Sequence, residues 1–66
     1  MTPATNNLQA LRLPAVIKKT GLRRSTLYRM IARGDFPAGV RLSERTTAWD
    51  AAEIDAWLAA KFAANR

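Results

Sequence analysis

The sequence predicts a small, mainly α-helical domain in the order α-α-ββ-α, with one two-stranded β-hairpin. Three observations predict it. Two stretches with helical apolar spacing, near residues 14–20 and 24–33, each end at a glycine and are joined by Gly21-Leu22-Arg23. The alternating Val40-Arg41-Leu42 is followed by the β-branched and aromatic Thr46-Thr47-Ala48-Trp49. Asp50 and Glu53 then mark the start of a third apolar-periodic segment.

The first helix is expected from Pro14 to about Thr20. Proline suits the first helical position, where its missing N–H has no partner to lose, and Gly21 suits the position just past the end. Leu13, Val16 and Ile17 then face inward, leaving Lys18 and Lys19 in solvent. The second helix is expected from Arg24 to Arg33, stopping at Gly34. At about 100° per residue, Leu27, Met30 and Ile31 share one side. Ser25, Tyr28, Arg29 and Ala32 share the other, with Thr26 and Arg33 at its margin. A three-residue link with glycine first is the spacing of a helix-turn-helix, and Leu22 is the residue such a turn tucks between the helices.

Asp35-Phe36-Pro37-Ala38-Gly39 is expected to be a loop with Phe36 buried. The hairpin follows, with Ser43-Glu44-Arg45 at a tip that lacks Gly or Asn. The last helix starts with Asp50 as cap and Glu53 reaching back to it. Trp49 and Ile54 are placed as a hydrophobic staple, and the stripe Ile54, Trp57, Leu58 and Phe62 runs inward to about Ala63. Three helices and a hairpin in this order describe a winged helix-turn-helix occupying residues 11–66, behind a flexible arm at residues 1–10.

Composition sets the limits. Of 66 residues, 48% are hydrophobic, but 13 of these are Ala, so the core is small and a large catalytic cleft is excluded. With no Cys and no His, disulfides, the common nucleophile–base pairs and nearly every zinc site are ruled out. The polar start Met1-Thr-Pro-Ala-Thr-Asn-Asn lacks a signal core, and no apolar run reaches a membrane span, so a cytoplasmic location is expected. Asp50 and Glu53 read better as a helix cap than as an acid–base pair. Arg33-Gly34-Asp35 reads as a helix end rather than an integrin-type motif.

Charge points to the partner. Residues 1–34 hold seven basic and no acidic side chains, and residues 35–66 hold four basic and five acidic, so the halves carry +7 and −1. A field this one-sided fits a polyanion such as double-stranded DNA. In a helix-turn-helix the second helix enters the major groove, and Arg23, Arg24, Ser25, Thr26, Tyr28 and Arg29 occupy that place, with Arg33 at the end of the helix a further DNA-binding candidate. Arg pairs with guanine, and Ser and Thr with bases or phosphate. Tyr28 either touches a base or covers the core edge. Lys18 and Lys19 fit phosphate contacts and equally suit the negative end of a helix dipole. Arg41 and Arg45 on the hairpin fit a wing that follows the backbone or enters the minor groove.

The residues also resemble a known family. Leu13-Pro14-Ala15-Val16, the run Thr20 to Ile31 with its Gly21-Leu22 and Ser25-Thr26-Leu27-Tyr28-Arg29, Gly34-Asp35-Phe36-Pro37, Trp49, and Glu53 to Leu58 are similar to the AlpA family. These are small prophage-encoded regulators related to excisionases and, more distantly, to the DNA-binding part of MerR regulators. The resemblance spans about Leu11 to Lys61. It implies a DNA-binding regulator of integrase or excision genes, or a directionality factor that bends attachment-site DNA. By position it places Ser25, Thr26, Tyr28 and Arg29 in the recognition helix, and Arg41 and Arg45 in the wing. Two positions depart from the family pattern. Arg23 stands where Ser or Thr is usual, and the tip is not Gly-rich. No enzymatic activity, cofactor, metal, membrane or small-molecule ligand is expected. Cooperative self-association on tandem sites and contact with an integrase are the further partners considered. The rival from another class is a basic adaptor that binds a protein through the Arg-rich helix.

Overall fold

A computed structural model describes residues 8–65. Along them run β1 (Ala10–Leu11), α1 (Leu13–Thr20), α2 (Arg24–Ala32), β2 (Val40–Ser43), β3 (Thr46–Asp50) and α3 (Ala51–Ala64). The strands form an antiparallel sheet in the order β1-β3-β2, and with the three helices they make a winged helix-turn-helix. Residues 1–7 of the expected arm lie outside the described residues.

Each helix ends where its chemistry dictates. Gly21 adopts φ 74°, a left-handed conformation open to glycine without side-chain strain, and its N–H donates to the Ile17 carbonyl at 2.8 Å. Thr20 reinforces this end: its hydroxyl donates to the Val16 carbonyl and accepts from the Leu22 N–H. The turn is thereby held from both sides, and Leu22 packs against the core as expected. At the end of α2, Gly34 N–H donates to Ile31 and Asp35 N–H to Met30, which satisfies two of the last carbonyls.

The core draws one fully buried side chain from each helix, Val16, Leu27 and Ile54. Leu11, Phe36 and Trp49 close it from the strands and the loop. The two indoles also fix that loop. Trp49 Nε1 donates to the Pro37 carbonyl at 2.9 Å, and Trp57 Nε1 to the Asp35 carbonyl at 2.8 Å. Phe36 meets Trp57 edge-on at 4.7 Å between ring centres. Gly39 lies so close beneath Trp49 that a Cβ there would come within 3.0 Å of the ring and 2.6 Å of Thr47 Cγ2.

Four features differ from the sequence expectation. First, the hairpin gains a third strand. Leu11 pairs with Trp49 and Ala10 with Asp50, and the Gln9 carbonyl accepts from Ala51 N–H. Second, the Asp50 carboxylate caps Ala52 N–H at 3.1 Å, whereas no reciprocal bond from Glu53 occurs among the described residues. Third, Phe62 is 60% exposed because α3 runs a turn beyond the core, and Trp57 is half-buried, with Lys61 over its outer side. Fourth, Ser43, expected at the tip, is the last residue of β2, and the hairpin turns through Glu44-Arg45 with no residue at positive φ. A primed turn would need positive φ at Glu44 or Arg45. Instead β2 carries one extra residue between Arg41 and Ser43, a bulge at Leu42.

Candidate nucleic-acid interface

The second helix presents the expected outward face. Leu27 is fully buried and Met30 and Ile31 are half-buried. Arg23, Arg24, Ser25, Tyr28 and Arg29 are exposed, with Tyr28 at 49%. Thr26 is half-buried at the margin. Arg23 occupies the cap position of α2 and makes no side-chain capping bond, and the first turn holds no acid. The N–H groups of that turn therefore remain a positive end beside a positive side chain. The contrast with α3, capped by Asp50, is direct.

The hairpin lies across an open cleft from part of this face. Between α1, the start of α2 and the hairpin lies an open cleft of about 600 Å³. Its basic lining comes from three separate segments: Arg12 before α1, Arg24 in the first turn of α2, and Arg45 at the hairpin tip. Tyr28 and Thr47 stand between them, and Leu13, Ile17 and Trp49 form an apolar floor. No acidic side chain lines the cleft, and Arg12, Arg24 and Arg45 form no ion pair among the described residues.

Other cations named from the sequence are placed differently. Lys19 Nζ lies 2.8 Å from Asp55 on α3, and Arg33 lies 3.2 Å from Asp35 just past α2. Both pairs are substantially exposed, so each contributes little to stability but locally cancels charge. Lys18, Arg29 and Arg41 are exposed and form no ion pair among the described residues. The structure thus brings Arg24, Tyr28 and Arg45 together and sets Lys19 and Arg33 apart from them. Sequence reasoning missed Arg12 as a member of the site. Its only signal was a positive charge just before the first helix, which does not reveal that the hairpin tip folds back beside it.

Among the described residues, no group of three His, Cys, Asp or Glu is arranged to hold a metal ion. No described helix is long and apolar enough to cross a membrane.

Comparison with known proteins places this architecture. Over 57 residues the chain is 44% identical to the DNA-binding transcriptional activator AlpA of Escherichia coli (strain K12), covering 77% of this chain and 81% of that protein. Over 56 residues it is 41% identical to the uncharacterized protein ORF88 of Enterobacteria phage P4, covering 85% of this chain. The aligned part spans 64% of the phage protein's length. The family described as prophage CP4-57 regulatory protein (AlpA) matches residues 9–62, which takes in β1, both helices of the turn, the hairpin and most of α3. By that match the chain belongs to the AlpA family of prophage regulatory proteins.

Proposed function

We propose that this chain is a sequence-specific, non-enzymatic DNA-binding regulator of transcription, acting in the cytoplasm on a prophage or integrative element. Its targets would be integrase or excision genes. One observation carries the reading: the exposed polar face of α2 adjoins a cleft shared with the hairpin tip, and neither contains an acid. A helix of this form fits the major groove, with the hairpin against the neighbouring backbone. The name of the Escherichia coli relative, a DNA-binding transcriptional activator, supports the same reading.

The test is binding to duplex fragments from around the chain's own gene, measured against salt. The expected result is discrimination of one fragment over random DNA, with a log–log slope of about −0.9 for each phosphate neutralised. A flat slope, or no preference among fragments, would reject the reading in favour of a basic adaptor that binds a protein partner. Cooperative footprints repeated across an attachment site would instead identify a directionality factor.

A further inference from the structure

We propose that the cleft between α1, α2 and the hairpin seats one strand of the DNA backbone, and that Arg12 is a phosphate contact there. The inference rests on the DNA-binding reading above and assigns the cleft a part in it.

Three observations converge. Three arginines remote in sequence, Arg12, Arg24 and Arg45, line one cleft with no acidic residue among its lining. Elsewhere Lys19 and Arg33 pair with acids while Lys18, Arg29 and Arg41 do not, so what marks the cleft is three arginines on one lining rather than the lack of ion pairs alone. Like charges gathered without a counter-charge repel, and a bound anion relieves that repulsion. The planar fork of Arg also suits phosphate oxygens better than a point charge would.

The floor narrows the class of anion. Leu13, Ile17 and Trp49 supply apolar side chains to the same lining as the three arginines. Deoxyribose presents carbon to such a floor while its phosphates reach the rim, so a sugar-phosphate chain matches both halves. The cleft is open, so a continuous strand can pass along it. It also begins at Arg24, in the first turn of the helix proposed to enter the groove. A strand seated here would tie groove-reading helix and wing to the same stretch of backbone.

Arg12 can be tested without disturbing the fold. Its side chain is exposed and makes no capping bond, while its backbone carbonyl accepts from Ala15 and Val16 whatever the side chain. Arg12→Ala and the wild type are compared, both verified as folded by circular dichroism, on the preferred duplex and on random duplex at about 50 and about 200 mM salt. The expected result is an equal fold-loss on both DNAs, with a salt slope shallower by about one unit. The deficit should then shrink about three- to fourfold between the two salts. Arg12→Lys should restore part of the binding.

Unchanged affinity for both DNAs would overturn the proposal, and a loss confined to the preferred site would replace it with base reading by Arg12. A second arm titrates the wild type with a deoxynucleoside monophosphate. Saturable micromolar binding that Arg12→Ala abolishes while leaving duplex affinity unchanged would overturn the proposal by making the cleft a small-ligand site. If the wild type binds no duplex at all, the functional reading falls with it. If the wild type binds and Arg12→Ala makes no difference, only the cleft assignment falls.

Discussion

Arg29 and Lys18 carry the same charge and are both exposed, yet the proposed DNA-binding reading gives them different tasks. Arg29 projects from the face of α2 opposite buried Leu27, where a groove-inserted helix meets base edges. Lys18 lies in the last turn of α1, the helix that crosses the backbone in this architecture. Arg29→Ala is therefore expected to lower binding to the preferred site by about 1–3 kcal/mol and to narrow its gap to random DNA. Lys18→Ala should weaken both DNAs alike and make the salt slope shallower by about one unit. Competition binding at two salt concentrations separates these outcomes. Equal losses on both DNAs for Arg29→Ala would make it a backbone contact and move base reading to Arg23, Arg24, Thr26 or Tyr28. Lys19, its neighbour in sequence, makes a different case. Its ammonium must leave Asp55 before it can serve a phosphate, so the same substitution there removes a contact already made within the protein.

The loop between α2 and β2 shows how elements are set relative to one another. Two indole N–H groups, from β3 and α3, hold the carbonyls of Pro37 and Asp35, so the helix and the hairpin on either side are joined by a braced link. Trp49 is 4% exposed, and Trp49→Ala is expected to destabilise the domain by about 3–5 kcal/mol, enough to unfold much of it. Trp57 is only half-buried, so Trp57→Ala should cost less and leave a folded chain with a lower midpoint. Thermal unfolding followed by circular dichroism measures both. A folded Trp49→Ala variant that loses only DNA binding would show that this indole serves the cleft rather than the core. The three helices were legible in the sequence because Gly21, Gly34 and Asp50 punctuate them by local chemistry. β1 was not, because two residues carry no period, and its partners Trp49 and Asp50 are distant in sequence. The exposure of Phe62 was also hidden, since helical spacing gives a face and not the point where the core beneath it ends.

Across the whole molecule, charge is focused as well as abundant. The net charge of +6 was plain from the sequence. Its placement was not, because the ion pair of Lys19 and the sharing of one cleft by Arg12 and Arg45 exist only after folding. The candidate site was thus legible as a helix face and illegible as a cleft. With Lys19 and Arg33 locally cancelled, the cleft arginines together with Lys18, Arg23, Arg29 and Arg41 remain unpaired among the described residues and leave a positive field. Such a field orients the protein before contact. The association rate with duplex DNA is accordingly expected to fall steeply with added salt, and the dissociation rate to change less. Stopped-flow mixing at several salt concentrations checks this, and an association rate indifferent to salt would show that encounter is not steered by these charges.

The bulge at Leu42 has a second effect, on solubility. β2 is an outer strand whose four residues are all exposed, and Val40 and Leu42 leave 62% and 60% of their surfaces open. A long flat strand with such a face would offer its unpaired N–H and C=O groups to another chain and seed fibrils. The extra residue bends this strand after two ladder positions, and Arg41 places a charge beside the break. The irregularity that lets Glu44-Arg45 turn without a left-handed residue therefore also spoils the strand as a template. Regularising the hairpin with an Asn-Gly tip and a straight ladder would tidy the turn at the risk of turning a regulator into an aggregating peptide.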